Sequence, residues 1–195
     1  MAVGALRALG RERESQRRFT LPAAPILERM LAQGLNCPLT SSAGSLFDAA
    51  AGLLGVKPFR DSEGQAAMLL EGLAEQHGAV SPDLEGYVIE NGDTLNFLPL
   101  LARLADTEDA ALGAALFHAT LAQGLCEWVS QAAVSHGLKK VVLGGGCLMN
   151  RVLSQSLRSQ LQANGLTVYE ARQLPPNGGG LSLGQAWVAM CYKQN

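Results

Sequence analysis

Lys139-Lys140-Val141-Val142-Leu143-Gly144-Gly145-Gly146-Cys147-Leu148-Met149-Asn150-Arg151 is the stretch on which the fold turns. A short apolar run, read as a buried strand over 139–143, empties into three glycines. A helix follows over Asn150 to Ala163 and stops at Asn164-Gly165, and Leu166-Thr167-Val168-Tyr169 reads as the next strand. Strand, turn, helix and strand in that order favour a parallel pair joined by a right-handed crossover, hence an α/β fold. A second glycine turn, Asn177-Gly178-Gly179-Gly180, opens a last helix from Leu181 to Tyr192.

Upstream the pattern is mostly helical. Residues 1–10 form a helix ending at Gly10, and a charged stretch then runs to Phe19. Its basic cluster, Arg11, Arg13, Arg17 and Arg18, is diluted by Glu12 and Glu14 and reads as a solvated helix end or linker. Thr20-Leu21-Pro22 opens a helix with Ile26, Leu27, Met30 and Leu31 at helical spacing, closed by Gly34 and Asn36. Cys37 to Ser42 is a loop. Ser41 or Ser42 is placed to cap the helix Leu46–Leu54, which Gly55 stops. Glu63 to Gln76 is the next helix, with Ala66, Ala67, Leu69, Leu70 and Leu73 on its apolar face. Asn91-Gly92-Asp93 between Tyr87-Val88-Ile89 and Leu95-Asn96-Phe97 is a hairpin signal. Helices at Pro99–Ala105 and Thr107–His136 follow, the latter with Leu112, Leu116, Leu121, Leu125, Trp128 and Val129 expected to face a core.

The chain has 195 residues, 48% hydrophobic and 16% charged, with a net charge of −2. That composition supports a buried core and excludes a disordered chain. The charge gives no general attraction to nucleic acid or to an anionic membrane. Cys37, Cys126, Cys147 and Cys191 lie far apart with no CxxC pair, so neither a zinc knuckle nor a thioredoxin-like motif is present. Thiols so arranged, with no secretory leader and no apolar run able to span a bilayer, point to the cytoplasm.

Consecutive glycines at the entrance to a helix expose backbone N–H groups at its positive end, which suits an anion. Without Cβ atoms they also let a phosphate or a flat base approach the main chain. One such turn is weak evidence; two late in an α/β chain suggest a nucleotide cleft. Neither is a P-loop or a GxGxxG turn. The loop 38–44 adds the hydroxyls of Thr40, Ser41 and Ser42 beside Gly44, which alone would be a helix cap. Asp48, inside the apolar run 46–51, either faces solvent or meets a partner in the cleft. Glu63 is either a charge at a helix start or an acceptor for ribose hydroxyls. His118 among apolar residues reads as a satisfied core histidine; His77 and His136 sit at helix ends. Cys147 has no base beside it and reads as structural, and Met149 and Trp187 read as core.

Four segments together resemble the HypF carbamoyltransferases: Cys37 to Ala49, Glu63 to Met68, Gly144 to Arg151, and Pro175 to Gln185. They occur in the family's order. The resemblance implies an actin/Hsp70-like ATPase fold, with residues 1–195 as the C-terminal lobe of the catalytic domain and the helical segment 1–35 starting inside that domain. It implies a reaction in which carbamoyl phosphate and ATP give carbamoyl-adenylate. The carbamoyl group then passes to the C-terminal cysteine of HypE, where it becomes the cyanide ligand of the [NiFe]-hydrogenase iron. Carried over as ATP or adenylate contacts are Ser41, Ser42, Gly44, Asp48, Glu63, Gly144, Gly145, Gly146, Asn150, Gly179 and Gly180. Asp48 and Glu63 would accept from ribose, and Gly179 and Gly180 would approach phosphate.

Three positions depart from the family. Gly178 stands where an Asp helps hold the divalent metal, so no metal ligand is assigned in this chain. Ser45 replaces an arginine, and Ser62 an aromatic. The lobe bearing the metal-binding histidines lies upstream in the family. The expectation is a chain that is half of a site, inactive alone, and prone to pair with that lobe, with HypE or with a second copy. The alternative is a catalytically inactive nucleotide-binding or scaffold remnant of the family; a sugar kinase on the same fold ranks last for want of a catalytic-base aspartate.

Overall fold

The computed structural model describes residues 1–57 and 62–192. Its elements are α1 (Ala2–Ala8), α2 (Glu12–Arg18), α3 (Ala24–Gln33), α4 (Ala43–Leu53), α5 (Gln65–His77), β1 (Val88–Glu90), β2 (Thr94–Asn96), α6 (Leu98–Ala105), α7 (Ala110–Ser135), β3 (Lys140–Leu143), α8 (Arg151–Ala163), β4 (Thr167–Glu170) and α9 (Leu181–Tyr192). Short 3-10 turns at Gly146–Met149 and Gly178–Gly180 follow the two glycine runs.

Helix α7 is the spine. Asp109 caps it by accepting from Ala111 N and Leu112 N. Of the series expected to face the core, Leu121 is buried and Leu125 and Val129 pack partly buried against it, while Leu112 is exposed. The buried line itself is made mostly of Gly113, Ala114, Phe117, His118, Leu121 and Ala122. Small residues win these positions because neighbours press close. Leu54 fills the space where a side chain on Gly113 would stand, and the Tyr87 and Phe97 rings do the same at Gly124. Leu70 and Ala74 of α5, Leu100 and Leu104 of α6 and Leu153, Leu157 and Leu161 of α8 complete the core. Phe47 of α4 meets Phe117 edge-on at a centroid separation of 4.9 Å.

The hairpin forms as expected. β1 and β2 pair antiparallel with Glu90 opposite Thr94. Asn91 and Gly92 both take positive φ, 52° and 78°, which the Asn-Gly pair tolerates best. β3 and β4 pair in parallel, from Lys140 opposite Thr167 to Leu143 opposite Glu170. Leu143 is buried and Val141 and Val168 partly so, whereas Val142 is 76% exposed and Tyr169 beside it is exposed. Parallel sheets ordinarily have both faces covered; this one has a bare face.

Of the two readings of the N-terminal charged stretch, a solvated helix end or a linker, the structure gives a helix in which Arg13 and Arg17 are exposed but Arg11 and Arg18 are pinned. Arg11 donates to Glu14 and to Asp106 at 2.5 Å each, and Arg18 donates to the Ala105 and Leu53 carbonyls. Helix α3 forms, but Ile26 and Leu27 are exposed. Met149 and Trp187, read as core, are exposed too.

Candidate functional site

The strand β3 ends at Leu143 and the chain turns through Gly144 and Gly145. Gly145 adopts φ 106°, ψ 157°, a region essentially reserved for glycine. Its N–H donates to the Pro176 carbonyl at 2.6 Å, and Asn177 Nδ2 approaches Met149 Sδ at 3.0 Å. The two glycine turns are therefore joined. Together with the first turns of α9 they line a broad, open hollow of about 1000 Å³, whose wall includes Glu63, Gly145, Gly146, Gly178, Gly180 and Gln185.

Of the residues expected at the site, Glu63, Gly145, Gly146 and Gly180 face this hollow. Glu63 lies in the turn before α5 rather than on the helix, which starts after Gly64 at φ 76°. Nothing stands within 4 Å of where a Cβ on Gly144 or Gly178 would lie. Ser42 occupies the N-cap position of α4 without a capping bond from its hydroxyl. It holds the Ser45 N–H through its carbonyl instead. Ser41 and Ser42 are exposed. Gly44 approaches Cys147, as its missing Cβ would sit 3.9 Å from Sγ. The charge of Asp48 reaches the same thiol: burial first, and Asp48 second, push Cys147 above its ordinary pKa. So α4 packs beside the 3-10 turn that follows the first glycine run.

Three details differ from the sequence reading. The first glycine turn does not open α8 directly, because Gly146–Met149 intervenes. The start of α8 is also already occupied: Asn150 Oδ1 accepts from Leu153 N at 2.9 Å and Glu71 Oε1 accepts from Arg151 N at 2.7 Å. A carboxylate there disfavours a second anion, and within the glycine turn the Gly145 N–H is already given to Pro176. In the second turn Asn177 accepts from Gly179 N at 2.9 Å and from Gly180 N at 3.1 Å. Those two amides are held by the chain's own asparagine.

Asn150 lies beneath the turn rather than in the hollow, 4% exposed. Its Nδ2 meets His118 Nε2 at 3.0 Å and the Ala67 carbonyl at 3.4 Å. Glu71, Ala171, Leu174, Val188 and Ala189 were not anticipated. The spacing of 181, 184–185 and 188–189 was the available signal for the α9 face. Gly178 offers no carboxylate, and no cluster of three ligating side chains able to hold a metal ion occurs among the described residues. No helix of the described residues is long and apolar enough to cross a membrane.

Residues 1–185 match the family model described as the carbamoyltransferase, Kae1-like domain, second subdomain. The chain is 48% identical to the carbamoyltransferase HypF2 of Cupriavidus necator across 97% of its own length and 27% of that relative. It is 45% identical to a HypF homolog of the same organism, across 97% of its own length and 51% of the relative. A crystal structure of full-length HypF in a phosphate- and nucleotide-bound form superposes with a TM-score of 0.80 at 30% identity, covering 96% of this chain and 25% of that one. The HypF of T. kodakarensis superposes at 0.74 and 25% identity, over 99% and 27%. The chain thus spans about a quarter to a half of the relatives it matches. The parallel strands, the helical mass and the superpositions together bear out the α/β, actin/Hsp70-like fold, and the chain belongs to the HypF carbamoyltransferase family.

Proposed function

We propose that this chain supplies one wall of an ATP site in a carbamoyltransferase and that the reaction requires a facing lobe. In this reading carbamoyl phosphate and ATP give carbamoyl-adenylate, and the carbamoyl group goes on to the terminal cysteine of a HypE acceptor. The observation that carries it is the bond from Gly145 N–H to Pro176, which brings both glycine turns onto one hollow. About 1000 Å³ is at the upper end of the ~300–1,000 Å³ usual for small-molecule sites. The nucleotide-bound HypF structure adds support. In this reading Gly144 and Gly178, with open space around them, give the nucleotide access to the main chain, and Glu63 on the hollow's wall accepts from ribose. Gly44 and Asp48 come near Cys147 beside the same turn, and in this reading Ser41 and Ser42 join them at the nucleotide.

The test is ATP titration of the wild type against Gly144→Val. The open space around Gly144 lets the fold accept the valine, so a loss of affinity of tenfold or more reports the ligand and not misfolding. Equal affinity refutes the site. Asp48→Asn should blunt discrimination between ATP and its 2′,3′-dideoxy analogue. Added divalent metal should not improve ATP binding to this chain alone, because Gly178 brings no carboxylate.

The facing lobe is the proposed partner, whether from the same polypeptide or another. Leu181, Leu183, Trp187, Val188, Met190 and Tyr192 of α9, with Val142 and Tyr169 on the sheet, are exposed. A helix apolar on all sides belongs in an interior. Alone, the chain should pair with itself through this face; a monodisperse monomer by light scattering removes that expectation. Turnover on HypE should appear only once the histidine-bearing lobe is supplied. If it never appears while ATP still binds, the non-catalytic reading, favoured by Gly178 and Ser45, takes its place.

A further inference from the structure

His118 of α7 is 1% exposed and packs edge-on against both the Phe47 and Phe117 rings, at centroid separations of 5.6 and 5.5 Å. Its Nδ1 is 2.7 Å from the Ala114 carbonyl. A carbonyl only accepts, so Nδ1 carries the proton and a neutral ring leaves Nε2 bare. Nε2 therefore accepts from Asn150 Nδ2 at 3.0 Å. That fixes the orientation of the amide and leaves Asn150 Oδ1 to accept from Leu153 N. The chain of bonds runs Ala114, His118, Asn150, Leu153 and is satisfied in one protonation state only.

We infer that His118 is a positioning residue for the nucleotide wall: as a neutral imidazole it latches Asn150, which sets the exit of the Gly144–Gly146 turn and the start of α8. This rests on the ATP reading above and adds a residue to it. If the ring took a second proton, Nε2–H would face the Asn150 N–H. Turning the amide over would satisfy the ring but present two donors to each other at Leu153. Either way the loop below the glycines is released.

The groups around the ring favour the neutral state. α4 presents Phe47, α7 presents Phe117 and α8 presents Asn150. α5 contributes Glu71, whose carboxylate is engaged with Arg151 N, while Arg151 also pairs with Glu75. Burial pushes the imidazole pKa down, ahead of the opposing pulls from the Ala114 bond and Glu71.

The test uses the full chain, with histidine titration followed by NMR in the presence and absence of ATP. The exposed His77 and His136 serve as internal references. If binding requires the neutral ring, saturating ATP must move the His118 titration to lower pH, because linkage is reciprocal, and must leave the other two in place. His118→Leu, which keeps the bulk and removes the acceptor, should weaken ATP at least tenfold with helical circular dichroism retained. His118→Gln, which can still accept from Asn150, should recover affinity to within about threefold. ATP that binds without moving the His118 titration, or leucine and glutamine variants of equal affinity, overturns the positioning role and leaves the ATP site standing. Failure of the wild type to bind ATP removes both.

Discussion

Helices α7 and α9 are both rich in apolar residues, yet α7 buries a continuous line from Gly113 to Cys126 and α9 buries nothing. The difference lies in their neighbours. α7 is packed by α4, α5, α6, α8 and β2, while α9 packs mainly against the turn that starts it. One side of the molecule is a finished core. The other is a finished surface only when something else lies on it. The hollow lies on the second side, so its donors are arranged but its enclosure is not.

The largest expected effect separates the two halves directly. Phe117→Ala should cost roughly 3–5 kcal/mol by urea unfolding, because Phe117 is fully buried against Phe47. Trp187→Ala on α9 should stay within about 0.5 kcal/mol when the isolated chain is dilute enough to be monomeric. A comparable loss at both positions would mean that α9 is covered in solution. A smaller effect distinguishes the glycines on the hollow's wall. Gly145→Ala forces a side chain into positive φ and should cost roughly 1–3 kcal/mol. Gly178→Ala meets open space and should be nearly neutral by the same unfolding measurement.

The clasp at α2 gives a pH-dependent prediction for the finished side. Hydrogen bonds from Arg11 hold Glu14 and Asp106 below the ordinary carboxylate range. A depressed carboxylate stabilises the fold above its unfolded pKa, and the contribution is lost as pH falls through the folded value. The melting temperature of Arg11→Ala should therefore lie below wild type at neutral pH and converge with it below about pH 4. A gap that persists in acid would assign the clasp to packing instead. The smallest effect concerns assembly. Trp187→Ser should lower self-association by light scattering with little change in unfolding.

Where periodicity and turn chemistry acted locally, the sequence was readable. The unit β3–turn–α8–β4 and the Asn91-Gly92 hairpin fall where expected, because a strand ending in glycines and an Asn-Gly pair each decide their own conformation. The arginine-rich stretch was readable only in part, since its partners Ala105 and Asp106 lie far along the chain. The motif places Asn150 beside the glycines but says nothing of what it bonds. Its true neighbours, His118 and Ala67, are 32 and 83 residues away, beyond any local pattern. Trp187 and Met149 read as interior because hydropathy reports what a residue prefers, not whether a neighbour is there.

The two dents in α7 at Gly113 and Gly124 carry a consequence for the shape of the whole assembly. Leu54 seats in one, and the Tyr87 and Phe97 rings in the other, about 16 Å apart along the axis by the rise of a helix. They act as a pair of mortises that fix where α4 and the hairpin meet the same beam. A methyl group at either would lift one joint and leave the other seated, tilting the beam. At its flank lies the glycine wall, so a change far from any bound molecule would alter the angle at which that wall is offered.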